Sequence, residues 1–318
     1  MSQIFDALQR AQAEDNGGDA QTPLNATEVL ARAERLAASE WEKADSAVEV
    51  YSPDRPGDAS NLQTRAAVAH LIGAAVAAPH PLSGKQGTAL LDALDQVEAR
   101  LPEETRLVTL TEPDSPTAEA FRLLGVRMRD LRRERTLKKL LVTSTIPQEG
   151  KSTVAANLAC TLAQTGKERV LLVEGDVRKP AQARIFGFAQ HPGLCEWLQG
   201  ERDLTKCMFR LKNPGLWIMP AGSSAINPLD LLQVNSVTSL MNQLEGMFDF
   251  IVIDSPPILP MADTSVWTRL TDGILLVARG GKTERRQLVR GLEAIEKSKL
   301  IGALLNCSRT TAKSYYYY

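Results

Sequence analysis

Six short apolar runs, separated by stretches of helical period, decide what the second half of this chain can fold into. They are Leu140–Ser144, Val170–Glu174, Leu216–Pro220, Phe250–Asp254, Ile274–Ala278 and Leu300–Asn306. Each is short, rich in branched residues and continuous rather than alternating, which is the pattern of strands covered on both faces. Helical patterns lie between them, such as Thr153–Gln164 and Thr283–Ser298, the latter with Leu288, Leu292 and Ile295 facing inward. This order predicts an α/β fold, a parallel sheet flanked by helices. Such sheets bind ligands at the carboxyl ends of their strands.

The polar motifs sit at those ends. The first run continues into Thr143-Ser144-Thr145-Ile146-Pro147-Gln148-Glu149-Gly150-Lys151-Ser152-Thr153, and a helix follows. Strand, loop, Gly-Lys-Ser and helix make the context of a P-loop, in which backbone N–H groups and the helix N-terminus cradle phosphate. ATP is expected on Glu149, Gly150, Lys151, Ser152 and Thr153, with Lys151 solvent-facing until its charge meets the β- and γ-phosphates and the Ser152 hydroxyl on Mg2+. Thr145 stands where the P-loop pattern has its first glycine, so a strict pattern scan passes over this loop.

Two acidic strand ends complete the expected site. Asp254 closes a run of branched residues, as the magnesium-organising carboxylate of P-loop enzymes does. Glu174 and Asp176 flank Gly175 at the end of another strand, with Arg178, Lys179 and Pro180 following. Two carboxylates and an arginine beside the phosphates would serve metal binding, proton abstraction and charge stabilisation. The alternative is a turn closed by a local salt bridge.

Of the five tyrosines, four are Tyr315, Tyr316, Tyr317 and Tyr318. A tyrosine run at a terminus buries poorly, and its functional reading is a phosphoacceptor tail; the alternative is an aromatic tail that packs on a neighbour.

Bulk properties narrow the class. A net charge of −1 argues against a general nucleic-acid binder. Cys160, Cys195, Cys207 and Cys307 show no CxxC spacing, which argues against a zinc site or disulfide framework and fits a reducing cytoplasm. No secretory signal is legible, and the apolar stretch Ala66–Ala78 is too short to span a membrane, which takes about 20 residues. Residues 1–105 read as a mostly helical, loosely folded regulatory segment, with helices at 2–13 and from 28 to about 43 and linkers at 52–57 and 80–84. Residues 106–308 read as the catalytic domain and 309–318 as the tail. Ser115-Pro116 reads as an N-cap with proline at N1. The helix after it has an apolar stripe of Phe121, Leu124, Met128 and Leu131, and a solvated basic face with Arg122, Arg127, Arg129, Arg132 and Arg133.

Together these residues resemble the bacterial tyrosine kinases of capsular and extracellular polysaccharide synthesis, the CpsD/CapB type. The resemblance covers about residues 113–318 and rests on Ser115-Pro116, Glu119-Ala120-Phe121-Arg122, the EGKST loop, the acidic turn, Asp254-Ser255-Pro256-Pro257 and the tyrosine tail. It implies a P-loop domain related to the partition and site-selection ATPases, Mg-ATP as cofactor, and autophosphorylation between neighbours in a homo-oligomeric ring. It also implies activation by the cytoplasmic tail of a membrane adaptor, a polysaccharide co-polymerase, which would hold a cytoplasmic protein at the inner membrane. By resemblance, Asn306 contacts adenine and Glu119 and Arg122 lie in the ring contact. Two positions depart from the family. Glu174 replaces the first aspartate of Asp-x-Asp, and Gly125, with Arg127 nearby, replaces the last arginine of Glu-x-x-Arg-x-x-Arg.

The expected reaction has Lys151, Asp176 and Asp254 organising Mg-ATP while Glu174, or failing that Asp176, takes the phenol proton. The competing readings are a non-kinase P-loop ATPase switch of the partition type and an adaptor that binds nucleotide without turnover.

Overall fold

A computed structural model describes residues 91, 94–223, 231–232, 234–259 and 263–307. The helices expected at 2–13 and 28–43, the two linkers and Tyr315–Tyr318 lie outside the described residues. The chain divides into two units after residue 78, and every described residue belongs to the second.

Eight strands form one sheet: β1 (Gln96–Val97), β2 (Lys139–Ser144), β3 (Val170–Glu174), β4 (Phe209–Leu211), β5 (Trp217–Met219), β6 (Phe250–Asp254), β7 (Gly273–Arg279) and β8 (Leu300–Asn306). Their order is β1-β4-β5-β3-β6-β2-β7-β8, and neighbours run parallel except β4 and β5. That hairpin departs from the all-parallel expectation. Lys212-Asn213-Pro214-Gly215 turns the chain, and Leu211 N–H bonds Leu216 O at 2.8 Å. β1 and β4 carry too few residues for a hydrophobic period to register.

Helices cover both faces. They are α1 (Val108–Thr111), α2 (Pro116–Glu134), α3 (Lys151–Ala163), α4 (Gln182–Phe186), α5 (Leu194–Leu198), α6 (Val234–Glu245), α7 (Asp263–Leu270) and α8 (Arg285–Glu293). Strand residues alternate between two cores. Leu140, Val142, Leu172 and Val252 pack with α2 and α3, while Leu141, Leu171, Val173, Ile251 and Ile253 pack with α6, α7 and α8. Among the described helices, none is long and apolar enough to cross a membrane.

Ser115 caps α2, accepting from Ala118 N at 3.1 Å, and Met128 is buried beneath it. The basic face of α2 is not uniformly solvated. Arg129 bonds Glu168 at 3.0 Å and the Leu162 carbonyl at 3.1 Å, and Arg132 lies 4.8 Å over the Phe250 ring. Strand and helix ends supply acceptors that a sequence stripe does not reveal. Cys160, Cys195 and Cys207 are buried as small hydrophobes and Cys307 is exposed.

α3 is buried on nearly every side, and that makes its one amide informative. Asn157 Oδ1 accepts from the Thr109 N–H and hydroxyl, both at 3.2 Å. Its Nδ2 donates to Arg106 O at 2.8 Å and Thr153 O at 2.9 Å. One side chain thereby fastens α1 to the helix that begins at the P-loop. An Asn157→Leu chain keeps the branched outline of the side chain and strands these partners in the core, so urea unfolding should show a loss of about 2–4 kcal/mol. A loss below about 1 kcal/mol would mean water reaches those groups instead.

Candidate active site

Three loops meet at the carboxyl ends of β2, β6 and β3, which lie side by side. The register sets Val142 opposite Asp254 and Asp254 opposite Glu174, so both acids project to the α3 face with Val142, Leu172 and Val252. The P-loop runs from Thr145 to Gly150, whose φ of 91° only glycine adopts freely, and α3 starts at Lys151.

Lys151 is not solvent-facing, as its motif role suggested. It is 8% exposed, with Nζ 2.7 Å from Asp176 Oδ2, 3.3 Å from Ser152 Oγ and 3.6 Å from Asp254 Oδ1. Burial works against its charge, but Asp254 and Asp176 outweigh burial and hold the ammonium above the ordinary lysine range. Burial pushes the Asp254 carboxyl above its usual range, offset in part by Lys151, Ser152 and Gln182. Asp176 is fixed from its other side by the Lys179 N–H at 3.1 Å, and the N–H groups of Gly175 and Asp176 both donate to Asp254 O.

Glu174 does something else. Its Oε1 accepts from Ala181 N at 2.5 Å and Gln182 N at 2.7 Å, and its Oε2 from Ala221 N at 2.9 Å. Burial pushes its carboxyl up, and the three N–H donors pull it part of the way back. Both oxygens are spent on backbone, so in this arrangement the extra methylene of glutamate serves a brace between α4 and the exit of β5. Arg178 is likewise drawn away, pairing with the fully buried Asp263 at the start of α7 at 2.5 Å.

The loop has its own internal lock. Glu149 is fully buried and accepts from Thr145 Oγ1 at 2.9 Å, from Ile146 N at 2.9 Å and from the Thr283 hydroxyl. The Thr145 methyl group meets α8 at Gly291, where an added Cβ would come within 2.2 Å of it. Asn306, ending β8, donates to Glu149 O at 2.9 Å and lies against Gly150. The structure therefore gathers Lys151, Ser152, Asp176 and Asp254, sets Glu149 and Asn306 behind the loop, and leaves Thr153 on the first turn of α3. Glu119 and Arg122 form a close ion pair on the exposed face of α2. Sequence reasoning missed Gln182, whose Nε2 donates to Asp254 Oδ2 at 2.8 Å; an amide outside any motif gives no signal.

Asp254 Oδ1 is buried with no hydrogen bond of ordinary length, the Lys151 ammonium 3.6 Å away and the Ser152 hydroxyl nearby. A buried oxygen acceptor next to a second oxygen ligand suits a hard divalent cation. A phosphate cradle, a buried lysine and such a carboxylate define the class: a P-loop nucleotide-binding protein.

Comparison with known proteins narrows it. An AAA domain model matches residues 148–279. The tyrosine-protein kinase YwqD of Bacillus subtilis (strain 168) is 33% identical over 217 residues, covering 68% of this chain and 91% of that protein. The succinoglycan biosynthesis transport protein ExoP of Rhizobium meliloti (strain 1021) is 33% identical over 205 residues, 63% of this chain and 26% of that longer protein. The kinase domain of the Escherichia coli tyrosine kinase ETK shares the fold, with a TM-score of 0.62 over 72% of this chain and 97% of that one at 24% identity. The chain belongs to the bacterial protein-tyrosine kinases.

The buried lysine generates a prediction opposite to the one its motif suggests. Lys151→Met leaves two buried carboxylates without their cation. Thermal or urea unfolding at pH 7 should show a loss of about 3 kcal/mol or more, and not the near-zero change of a surface lysine. An unfolding midpoint equal to that of the wild type would place the lysine outside the buried pair in solution.

Proposed function

We propose that this chain is an ATP-dependent autokinase whose acceptors are Tyr315–Tyr318, and that it governs exopolysaccharide or capsule polymerisation and export with a membrane adaptor of the co-polymerase kind. The observation that carries this reading is the Lys151 ammonium held between Asp176 and Asp254 under a phosphate-binding loop. The relative ExoP is a succinoglycan biosynthesis transport protein, which supports the polysaccharide setting.

The β- and γ-phosphates of ATP compete with Asp176 for Lys151. Once the lysine turns to them, the Asp176 carboxylate is free to act as base. Among the two candidate acids it is the one beside the lysine, whereas Glu174 is committed to three backbone donors. The tyrosine oxygen attacks the γ-phosphorus, the bond from that phosphorus to the β–γ bridging oxygen breaks, ADP leaves, and the phenol proton passes to Asp176. A phenol with a pKa near about 10 gains from such a base. Ser152 and Asp254 would hold Mg2+, which neutralises charge on the β- and γ-oxygens. Asn306 uses Nδ2 on the loop, and its Oδ1, which accepts from the Cys307 thiol at 3.7 Å, is the atom that would meet the amino group of adenine.

The tail follows β8, whose last residue is bonded to the P-loop. The twelve residues from Cys307 to Tyr318 reach about 40 Å at full extension. That length serves a neighbour's site without a tight reversal, and Glu119 and Arg122 on the outer face of α2 are the proposed contact between copies. Each phosphate adds about −1.5 to −2 charges. Several together, beside Asp176 and Asp254, would drive the modified tail out.

Mass spectrometry of the C-terminal peptide after incubation with Mg-ATP tests the reading. Phosphotyrosine in residues 315–318 is expected; phosphate release with an unmodified tail, adaptor present, would make the protein an ATPase switch. Asp176→Asn should cut the rate by about 10²–10⁴-fold while nucleotide still binds. An Asp176→Asn chain working at the wild-type rate would take the base role away from this residue.

A further inference from the structure

Gln182 lies in no motif, yet it is fully buried and joins three parts of the site. Its Nε2 donates to Asp254 Oδ2 at 2.8 Å and to the Ser152 carbonyl at 3.3 Å. Its backbone N–H donates to Glu174 Oε1 at 2.7 Å. Both partners of Nε2 are acceptors, so the side-chain amide must present its NH2 to them, and the alternative flip would set oxygen against oxygen. Two oxygens in this carboxylate–amide pair are then buried without a hydrogen bond: Gln182 Oε1, and Asp254 Oδ1, which faces the Lys151 ammonium at 3.6 Å.

A buried acceptor without a donor gives up its hydration with no hydrogen bond in exchange. Gln182 Oε1 is such an atom and is hard to explain as packing, because a core brace would spend its acceptor as well as its donor. The rest of the network is fully spent. Glu174 uses both oxygens, Asp176 uses both, and Asn157 uses both ends of its amide.

We propose that Gln182 is a positioning residue for the magnesium–nucleotide complex, an inference that rests on the reading above. By holding Asp254 Oδ2, it fixes the carboxylate so that Oδ1 is the oxygen offered to the cation. Its own Oε1 accepts from a water that the cation carries, since Mg2+ keeps several of its waters when bound. Glu174 enters the same chain of contacts from behind. It clamps the N–H groups of Ala181 and Gln182, and so fixes where the Gln182 side chain starts. The glutamate that replaces aspartate in the acidic turn thus acts on the metal site through Gln182 rather than on the phenol.

The test separates positioning from packing by its dependence on the metal. The full chain, Gln182→Met and Gln182→Asn are titrated with a fluorescent ADP, once in EDTA and once in saturating Mg2+. Methionine keeps the volume and removes the amide, whereas asparagine keeps an amide and withdraws it by one methylene. The wild-type chain should bind more tightly with Mg2+. Both variants should bind within about twofold of wild type in EDTA but lose about tenfold or more of the Mg2+-dependent gain, the usual size of an outer-shell effect on a metal. The Mg2+ concentration at half-maximal gain should rise by a similar factor. If affinity falls equally in EDTA and Mg2+, or the gain is unchanged, Gln182 is a core brace and the proposal fails. Should Gln182→Met not melt cooperatively, Gln182→Asn decides by the same comparison. A wild-type chain with no Mg2+-dependent gain would sink the magnesium reading itself, and this inference with it.

Discussion

One buried ammonium ion organises the catalytic end of this fold. Lys151 comes from the helix after β2, Asp176 from the turn after β3 and Asp254 from the end of β6, and they meet within 3.6 Å of one nitrogen. Two carboxylates around one cation leave a surplus negative charge in a place with little water. Neutral dipoles offset part of it: the N–H groups of Gly175 and Asp176 on Asp254 O, the Lys179 N–H and the Gln182 amide. A site so balanced does not suit a polyphosphate alone, because its charge would add to the surplus. The positive charge of a divalent cation would restore the balance, which is why the nucleotide proposed for this site is one that arrives with such a cation.

The sheet makes this meeting possible. Parallel pairing of β2, β6 and β3 puts Val142, Asp254 and Glu174 in one row across three strands. The loops that leave the strands therefore start from a common level. Small differences in what each acid finds then decide its role. Asp254 faces Lys151 and Gln182, whereas Glu174 finds the first N–H groups of α4 and the N–H of Ala221.

Much of this was legible in the sequence, and the limits are instructive. The central strands read true because each is a continuous branched run closed by polar residues, and β3, β6 and β8 match to the residue. β1 and β4 were invisible, since two or three residues at a sheet edge carry no period. Lys151, Ser152, Asp176 and Asp254 were found through motif spacing and do converge. Spacing says nothing about what a side chain meets before its ligand arrives, so it gives no sign that Lys151 is buried. Glu174 offers no such distinction, because in a sequence a carboxylate at a strand end looks the same whether it awaits a proton or, as in this structure, accepts from three backbone N–H groups. Gln182 and the pairing of Arg178 with Asp263 belong to tertiary packing, and no local pattern encodes them.

The threonine at position 145 carries a last consequence. A P-loop pattern asks for glycine there, but the physical demand is for empty volume between the loop and whatever covers it. In this chain α8 provides that volume at Gly291, and Thr145 uses its place to hold Glu149. The demand belongs to a pair of positions, and a pattern confined to the loop inspects half of it. It also couples the two substitutions: any side chain added at 291 meets the Thr145 methyl group first, so a change at one position is felt at the other.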